Sequence, residues 1–428
     1  MLLTNAVSTA QSACDADVNG DGVVNAADVS LVLSGWGACT GCAADVSGDA
    51  VVDGIDLSIV LGRWNSFCAP TILAVTPASG PVAGGTPITI HGANLAGVVS
   101  VQFGSAAATS VAVVDASTVT AVTPAGNAGA TSVSIATQGG VASLPGAFSY
   151  TAPWFTVLEQ SPDSAIVPSA ALRSAIIATG LPWRVRDIGT GIELLLVPPG
   201  SFNMGCSPSI LYPCEADESP VHQVTLSNPF YIGRYEVTQA QWTARMGSNP
   251  SLFQGSAYPD AAQRPVERVS WNMIPMFMLS TGLRLPTEAE WEFAYRAGTT
   301  TAFHGFQSVP GGTADDLQLS NIAWFAANNG ASGTAMYGTK PVGQKAANGL
   351  GLHDMAGNVF EWVQDWYGPG YYATSPSINP AGPASGTYRV ARGGSWELSS
   401  EFARASYRGY ITPGFTYQYF GFRVARDP

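Results

Sequence analysis

Charge is scarce in this chain, and positive charge is the scarcer sign. Only 11% of the 428 residues are charged, with 18 Lys and Arg against 30 Asp and Glu, which gives a net charge of −12. Because phosphate groups need cations to neutralise them, this composition excludes nucleic-acid binding and argues against anionic membrane surfaces. No run of 18 apolar residues occurs, so no segment of the sequence is expected to span a bilayer as a helix.

Signatures of common catalytic sites are also missing. The four histidines are scattered singly along the chain, so they predict no iron-binding triad. No Gly-x-Ser-x-Gly elbow, phosphate loop or His-Glu-x-x-His motif occurs, and hydrolase and kinase functions therefore lack support. Residues 1–13 lack the basic and apolar regions of a signal peptide, and we interpret them as an unstructured or truncated leader.

Cysteine is present in six positions, and none lies beyond Cys214. Cys14 and Cys42 each precede an acidic loop by three residues, while Cys39 and Cys68 follow those loops at nearly equal distance, so each of the two units is predicted to carry its own bridge. Cys206 and Cys214 form a third local pair, which we interpret as a stapled loop rather than a metal site. This usage predicts an oxidising, extracytoplasmic or secreted setting.

Residues 14–69 contain two copies of an acidic loop, 28 residues apart. Each copy places oxygen ligands at the spacing of an EF-hand calcium loop and leads into a helical pattern. The pair resembles a dockerin module, which implies calcium as cofactor and a cohesin-like partner. Ala50 replaces the glycine found at position 22 of the first copy, so the second site is expected to bind less tightly. The predicted ligands are Asp17, Asn19, Asp21, Val23, Asn25 and Asp28 in the first loop and Asp45, Ser47, Asp49, Val51, Asp53 and Asp56 in the second.

After each loop, apolar residues fall at helical spacing, and we expect the two stripes to face each other. The stripes are Val29, Val32, Leu33 and Trp36, and then Leu57, Val60, Leu61 and Trp64.

Residues 70–152 are rich in Val, Thr, Ala, Gly and Pro, with short runs of alternating apolar and polar residues such as Thr131 to Ile135. Short strands between Gly and Pro turns predict an Ig-like β-sandwich. The segment from Val75 to Pro81 and the Phe-Ser-Tyr that ends at Tyr150 resemble an IPT/TIG domain. Residues 153–185 are interpreted as a linker with one short helix over 170–178.

Residues 186–428 carry the strongest resemblance. The stretches Gly-Leu-Arg-Leu-Pro-Thr-Glu-Ala-Glu-Trp-Glu from Gly282 and Asn-Gly-Leu-Gly-Leu-His-Asp-Met-Ala-Gly-Asn-Val-Phe-Glu-Trp from Asn348 resemble the formylglycine-generating enzyme, or sulfatase-modifying factor, family. This implies an α+β fold of the C-type lectin type. It also implies a structural calcium ion at Asn358, Val359 and Glu361, and the alternative is that Glu361 and Trp362 only satisfy core hydrogen bonds. The whole chain is therefore predicted to be multidomain, with a small helical EF-hand-like module, an Ig-like sandwich and a lectin-like domain.

The oxidases of that family bind copper through two cysteines that follow a Gly-Gly-Ser. Counted forward from Ser395, those positions are Leu398 and Ala403, and neither side chain supplies a thiolate. We therefore expect no catalytic residues at these positions and no copper, although the resemblance alone leaves an oxidase acting on sulfatase cysteine as the alternative.

The segment from Trp396 to Phe420 is rich in aromatic residues and arginines, which are typical of recognition surfaces. We predict that it binds a protein or glycan ligand; the alternative is that half of these rings belong to the core. A further alternative is a component of a polysaccharide-degrading assembly recruited through the calcium loops. The predicted ligand-binding residues are Trp396, Glu397, Ser399, Glu401, Arg404, Tyr407, Arg408, Tyr410, Tyr417 and Tyr419.

Overall fold

The computed structural model describes residues 13–306, 308–334 and 336–428. The chain divides into two compact units, one reaching Pro153 and the other spanning Trp154–Pro428. The first unit contains the calcium-loop module and the β-sandwich, and the second contains the lectin-like domain. In the part of the chain that the structure describes, no helix has the length and apolar character needed to cross a membrane.

The calcium-loop module, residues 14–69, is a pair of nearly identical halves. Its two helices are α1 (Ala26–Ser34) and α2 (Gly54–Gly62), and a short antiparallel ladder joins β1 (Gly37–Ala38) to β2 (Val51–Val52). Each helix begins with a capping box, in which the side chain of Asn25 or Asp53 accepts a hydrogen bond from the first turn and the acidic residue three positions later accepts one from the cap backbone.

Only half of each predicted apolar stripe is buried. Val32 and Val60 are fully buried between the helices, together with Val24 and Val52. Trp36 and Trp64 are instead 53% and 45% exposed, and Leu33 and Leu61 are also exposed, so the prediction that they face the partner helix is wrong. A module of this size has too little core to cover all of its large apolar side chains.

The predicted Ig-like sandwich is confirmed as two sheets. One has the strand order β4-β11-β10-β6-β7 and the other β3-β5-β9-β8. Its core contains Ile90, Phe103 and Phe148, with the last two rings packed edge to face at 5.2 Å. The strands are β3 (Thr71–Thr76), β4 (Ser79–Pro81), β5 (Pro87–Ala93), β6 (Val98–Phe103), β7 (Ala106–Ala107), β8 (Thr109–Asp115), β9 (Thr118–Val122), β10 (Gly129–Thr137) and β11 (Gly140–Thr151).

The second unit begins earlier than the sequence predicts. The predicted linker over 153–185 supplies β12 and the first residues of β13 to a sheet ordered β12-β13-β14-β17-β22, in which β12 and β13 pair with each other and β13 pairs with β14. The helix predicted over 170–178 is present as α3 (Ala170–Ala178). The strands of this sheet are β12 (Phe155–Glu159), β13 (Arg184–Asp187), β14 (Glu193–Val197), β17 (Phe230–Gly233) and β22 (Ala425–Arg426).

Two smaller sheets complete the lectin-like domain. One is a hairpin that pairs β15 (Gly200–Met204) with β16 (His222–Leu226) in antiparallel register. The other sheet is mixed and has the order β20-β19-β18-β21, and it supports the segment that follows the Gly-Gly-Ser. Its strands are β18 (Phe360–Trp366), β19 (Arg389–Arg392), β20 (Gly409–Ile411) and β21 (Phe420–Gly421).

Three helices pack on these sheets: α4 (Gln239–Met246), α5 (Ile274–Thr281) and α6 (Glu288–Arg296). Capping boxes at Thr238 and Thr287 begin α4 and α6. The C-cap of α6 is Ala297, which adopts the left-handed conformation with φ of 47°.

The cysteines pair differently from the prediction. Cys206 and Cys214 form the expected bridge, but Cys39 is bonded to Cys42, across the junction of the two halves of the module. The expectation of one bridge within each half is therefore wrong, because the end of the first half lies against the start of the second.

Candidate functional site

The two predicted calcium loops share one hydrogen-bond pattern. In the first loop, Asp17 accepts from the backbone amides of Asp21 and Gly22 at 3.1 and 2.7 Å, and Asp28 accepts from Asn19 and Asn25 at 3.1 and 2.8 Å. The second loop repeats each bond 28 residues later. Asp45 accepts from Asp49 and Ala50, and Asp56 accepts from Ser47 and Asp53, at distances between 2.8 and 3.1 Å.

The donor set of these loops fits calcium. All side-chain ligands are oxygens, and the carboxylates of Asp28 and Asp56 are fully buried with backbone amides as their hydrogen-bond donors. A buried carboxylate without a cationic partner is unfavourable, and a hard divalent cation bound by carboxylate and carbonyl oxygens removes that penalty. The loops would hold the ion through their predicted ligands, and the ion would stabilise the module.

The second loop carries backbone strain that the first lacks. Ala50 has a φ of 69°, while its counterpart Gly22 has a φ of 92°. A side chain in this left-handed region is unfavourable by roughly 1–2 kcal/mol, which glycine avoids. This supports the expectation that the second site binds calcium less tightly.

In the lectin-like domain, the Arg-Gly-Gly-Ser segment is held by a buried arginine. Arg392 is fully buried; it pairs with Glu292 and donates to the carbonyl of Ser406 at 2.8 Å. Gly393 and Gly394 both have positive φ, and a Cβ on Gly394 would lie 2.8 Å from the carbonyl carbon of Phe402. Glycine is therefore required for the chain to turn so closely over its own backbone.

The positions counted forward for the oxidase cysteines lie beside this turn. Leu398 is half-buried against the core, and its carbonyl accepts from Ala326 at 2.9 Å. Ala403 is buried, and its carbonyl accepts from the hydroxyl of Tyr295 at 2.7 Å. Since Cys206 and Cys214 are bonded to each other and no other cysteine exists beyond Cys68, the second unit offers no free thiol to a soft metal ion.

Three of the ten predicted ligand-binding residues are not on the surface. Trp396 is fully buried, and its ring packs edge-on against Phe253 and Tyr337 at centroid distances of 5.3 and 4.8 Å. Arg404 and Arg408 are buried in ion pairs with carboxylates far away in sequence. Their assignment to a recognition surface is wrong, because all three side chains are buried inside the domain.

The buried arginines hold separate strands of chain together. Arg404 donates two hydrogen bonds, of 2.8 and 2.6 Å, to Glu218, which also accepts from the hydroxyl of Ser406. Arg408 contacts both oxygens of Glu288 at 2.7 and 2.9 Å. Bidentate geometry of this kind fixes orientation as well as charge, so these residues are structural.

The remaining predicted residues fall into two aromatic clusters. In the first, Tyr410 is 54% exposed and stacks on Tyr367 at 4.5 Å. Tyr407 packs on Phe402 at 4.8 Å. Ser399 precedes the helical turn Ser400–Ala403, Glu401 lies in it, and both are half-buried.

The second cluster, which we call the tyrosine patch, consists of Tyr337, Glu397, Phe415, Tyr417 and Tyr419. Phe415 and Tyr417 are each 40% exposed and lie nearly parallel at 6.1 Å, and Tyr417 meets Tyr419 edge-on at 4.8 Å. Burial and then the neighbouring Glu397 carboxylate raise the pKa of Tyr337 and Tyr419, so both rings lie close to that carboxylate. Partial burial also raises the pKa of Glu397.

Sequence reasoning missed Tyr337. It lies in a loop rich in Gly and Ala, far before Trp396, and its packing against the buried Trp396 and Phe253 rings brings it to the patch. An aromatic residue in such a loop is a weak signal, and nothing in the local sequence relates it to the segment near Tyr417.

The predicted calcium site at Asn358, Val359 and Glu361 is crowded by protein partners. Asn358 accepts from the amide of Lys340 at 2.9 Å and donates to Glu236 at 2.6 Å, and the Val359 amide also donates to Glu236. Both oxygens of Glu361 bind Arg423 at 2.6 Å, and one also accepts from Trp291. This geometry favours the alternative that these groups satisfy core hydrogen bonds.

One carboxylate nearby is incompletely satisfied. The buried Oδ1 of Asp354 has no hydrogen-bond partner among the described residues. Its carboxylate interacts electrostatically with those of Glu236 and Glu361, so three carboxylates share the guanidinium of Arg423. The calcium site in this domain stays a prediction.

The histidines have structural surroundings. His304 is fully buried, where its Nδ1 lies 2.9 Å from the carbonyl oxygen of Gly305, and burial lowers its pKa to about 4. His353 packs on Tyr235, and His222 packs on Tyr372. Within the described ranges, the two calcium loops included, no three His, Cys, Asp or Glu side chains surround a single metal position, so the calcium sites of these loops rest on ligand type and spacing.

Comparison with known proteins settles the family. Residues 186–428 match the model of the sulfatase-modifying factor enzyme 1-like domain, and residues 70–150 and 15–65 match the IPT/TIG and Dockerin type I models. The chain belongs to the sulfatase-modifying factor enzyme 1-like family. Dockerin type I domains bind calcium, dock onto cohesin partners and usually occur in extracellular proteins.

Members of the sulfatase-modifying factor family carry diverse names. The chain is 34% identical to the formylglycine-generating enzyme of Streptomyces coelicolor over 296 residues, covering 54% of this chain and 88% of that enzyme. It is 32% identical to serine/threonine-protein kinase pkn1 of Chlamydia caviae over 256 residues, covering 55% of this chain and 38% of the kinase. Among solved structures, Treponema denticola variable protein 1 is 29% identical with a TM-score of 0.46, covering 55% of this chain and 95% of that one.

Proposed function

We propose that this chain is a secreted, calcium-stabilised recognition protein. Its sulfatase-modifying-factor-like domain would bind a glycan through the tyrosine patch, and its dockerin module would attach it to a cohesin-bearing partner. The observation that carries this conclusion is chemical. The counted positions of the copper-binding cysteines hold Leu398 and Ala403, and the two cysteines of the domain are bonded to each other.

The residue composition of the tyrosine patch favours a glycan ligand. The exposed faces of Phe415 and Tyr417 offer flat apolar area, on which the apolar face of a sugar ring can stack. Glu397 supplies a hydrogen-bond acceptor for hydroxyl groups, and the side-chain amide of Gln418 donates to it at 3.4 Å. Apolar area with a few placed polar groups is typical of small-ligand sites.

Exposed apolar side chains of the dockerin module favour attachment of the chain to a protein partner. Leu33, Trp36, Leu61 and Trp64 occupy equivalent positions in the two halves of the module and are all exposed. Apolar side chains of this size on the surface of a small module are typical of a protein interface. Recruitment to a polysaccharide-degrading assembly would then bring the tyrosine patch close to glycans.

The glycan proposal is tested by array binding of the full chain in calcium. Tyr417→Ala is expected to abolish binding to those glycans on the array that the unsubstituted protein binds. Tyr410→Ala is the matched control, because it removes an exposed tyrosine from the other aromatic cluster and is expected to leave binding unchanged.

Equal binding by the Tyr417→Ala variant would overturn the assignment of the patch. Binding of proteins but not glycans would replace the glycan with a protein ligand. Conversion of a sulfatase cysteine to formylglycine would restore the oxidase alternative.

A further inference from the structure

The two halves of the dockerin module are related by an approximate two-fold symmetry that extends beyond the calcium loops. In the ladder of β1 and β2, Ala38 pairs with Val51. The counterpart of that pair is the isolated antiparallel bridge between Phe67 and Val23. The end of each half therefore pairs with the loop of the other half, so the module closes on itself.

The cysteines follow the same symmetry. The amide of Cys39 donates to the carbonyl of Ala50 at 2.9 Å, and the amide of Cys68 donates to the carbonyl of Gly22 at 2.9 Å, so Cys68 is the counterpart of Cys39. Cys14 is the counterpart of Cys42 in the same way. The carbonyl of Cys42 accepts from Asp45 at 3.2 Å, and that of Cys14 accepts from Asp17 at 3.4 Å.

One of the two symmetry-related cysteine pairs is already covalent. Cys39 and Cys42 join the end of the first half to the start of the second. The symmetry relates this bond to a contact between the end of the second half, at Cys68, and the start of the first, at Cys14. The thiols of these two residues lie within hydrogen-bonding distance of each other.

We propose that Cys14 and Cys68 form a third disulfide, the symmetry counterpart of Cys39–Cys42. The bond would join the first and last residues of the module and enclose both calcium loops in one covalent ring. It would bring all six cysteines of the chain into bridges, as expected for a protein of an oxidising compartment.

Exposure indicates the order of the chemistry. Cys14 is exposed and Cys68 is only 2% exposed, so the Cys14 thiolate would attack first, on a small disulfide such as oxidised glutathione. One thiol leaves and a mixed disulfide forms at Cys14. The Cys68 thiolate then attacks the Cys14 sulfur and releases the second thiol. The two cysteines lose two protons and two electrons, and the external disulfide is reduced to two thiols.

The proposed bond has a consequence for calcium. In the reduced protein, the Cys68 thiol lies 3.7 Å from Oδ2 of Asp17, the first ligand of the first loop, and donates to it. Oxidation removes this competing donor and ties the chain next to Asp17. We expect the oxidised module to bind calcium more tightly, by about threefold or more if one weak hydrogen bond is released.

The decisive test is a disulfide map of the full chain, purified from an oxidising compartment without reductant. Free thiols are alkylated under denaturing conditions, and the digest is analysed by mass spectrometry without reduction. We expect a peptide containing Cys14 joined to one containing Cys68, with no alkylation at either. The Cys206–Cys214 bridge serves as the internal positive control.

Recovery of Cys14 and Cys68 as alkylated peptides overturns the pairing, and so does a link from either residue to Cys39 or Cys42. Cys39→Ser provides a matched variant that breaks only the counterpart bridge, and the Cys14–Cys68 peptide is expected to persist in it. Calcium titration of the oxidised protein against Cys14→Ser measures the coupling. Equal affinities would mean that the bridge is structural without influence on the first loop.

Discussion

Arg404→Leu is the substitution that most clearly separates a structural arginine from a ligand-binding one. Arg404 and Glu218 are both fully buried, and their side chains meet at 2.6 Å. Removal of one partner leaves an uncompensated buried charge, which is unfavourable by about 3–5 kcal/mol. We therefore expect the free energy of unfolding of the second unit to fall by that amount.

The assay is equilibrium unfolding in urea, followed by tryptophan fluorescence. Of the 11 tryptophans, all but Trp36 and Trp64 lie in the second unit, so the signal reports mainly on that unit. Arg186→Leu is the matched control. Its ion pair with Glu193, at 2.8 Å, has a half-exposed arginine, and such pairs contribute at most about 1 kcal/mol.

A double variant completes the test. Glu218→Leu combined with Arg404→Leu removes both charges, and we expect it to recover much of the stability that the single substitution loses. A loss below about 1 kcal/mol for Arg404→Leu alone, together with loss of ligand binding, would refute the structural role and return Arg404 to the recognition surface.

Three further substitutions test the strained loop, a buried carboxylate and the close turn. Ala50→Gly relieves left-handed strain of roughly 1–2 kcal/mol, so calcium titration should show tighter binding at the second loop, by about fivefold to thirtyfold. Unchanged affinity would contradict this. Burial raises the pKa of Glu267 to about 7, so the folded protein favours the protonated carboxyl. The free energy of unfolding should therefore be highest below about pH 4.5 and fall by roughly 3 kcal/mol as the pH rises to 7. Glu267→Gln should flatten that pH profile in urea denaturation. Gly394→Ala should lower the free energy of unfolding by more than about 2 kcal/mol in the same assay. Gly298→Ala is the control, because Gly298 also has a positive φ but open space around it, and it should lower that free energy by about 1 kcal/mol. Equal losses would exclude a steric cause at Gly394.

Features set by neighbouring residues were predictable from the sequence. The calcium-loop repeat, the capping boxes at Thr238 and Thr287 and the helix at 170–178 each depend on contacts within one or two turns of chain. The sandwich strands followed from alternation between Gly and Pro turns. The family resemblance supplied the fold of residues 186–428, which local patterns alone would not have given.

Features set by distant partners were not predictable. Nothing near Arg404 or Arg408 in the sequence indicates Glu218 or Glu288, which are 186 and 120 residues away. A surface arginine and a buried, paired arginine cannot be distinguished by their neighbours in the sequence. The sequence therefore assigned too many residues to the recognition surface. The cysteine pairing failed for a different reason, because Cys39 at the end of the first half is bonded to Cys42 at the start of the second half, and not to a cysteine of its own half.

We propose that this member of the sulfatase-modifying factor family does not oxidise sulfatase cysteine, because Leu398 and Ala403 stand at the counted positions of the copper-binding cysteines. The most direct test of this claim is to incubate the full chain with Cu(I), oxygen and a sulfatase-derived peptide that contains the substrate cysteine, and to detect formylglycine by mass spectrometry. The Streptomyces coelicolor formylglycine-generating enzyme serves as the positive control. We predict an unmodified cysteine in the presence of this chain and conversion by the control enzyme. Formylglycine produced by this chain above the level with Cu(I) alone would contradict the claim.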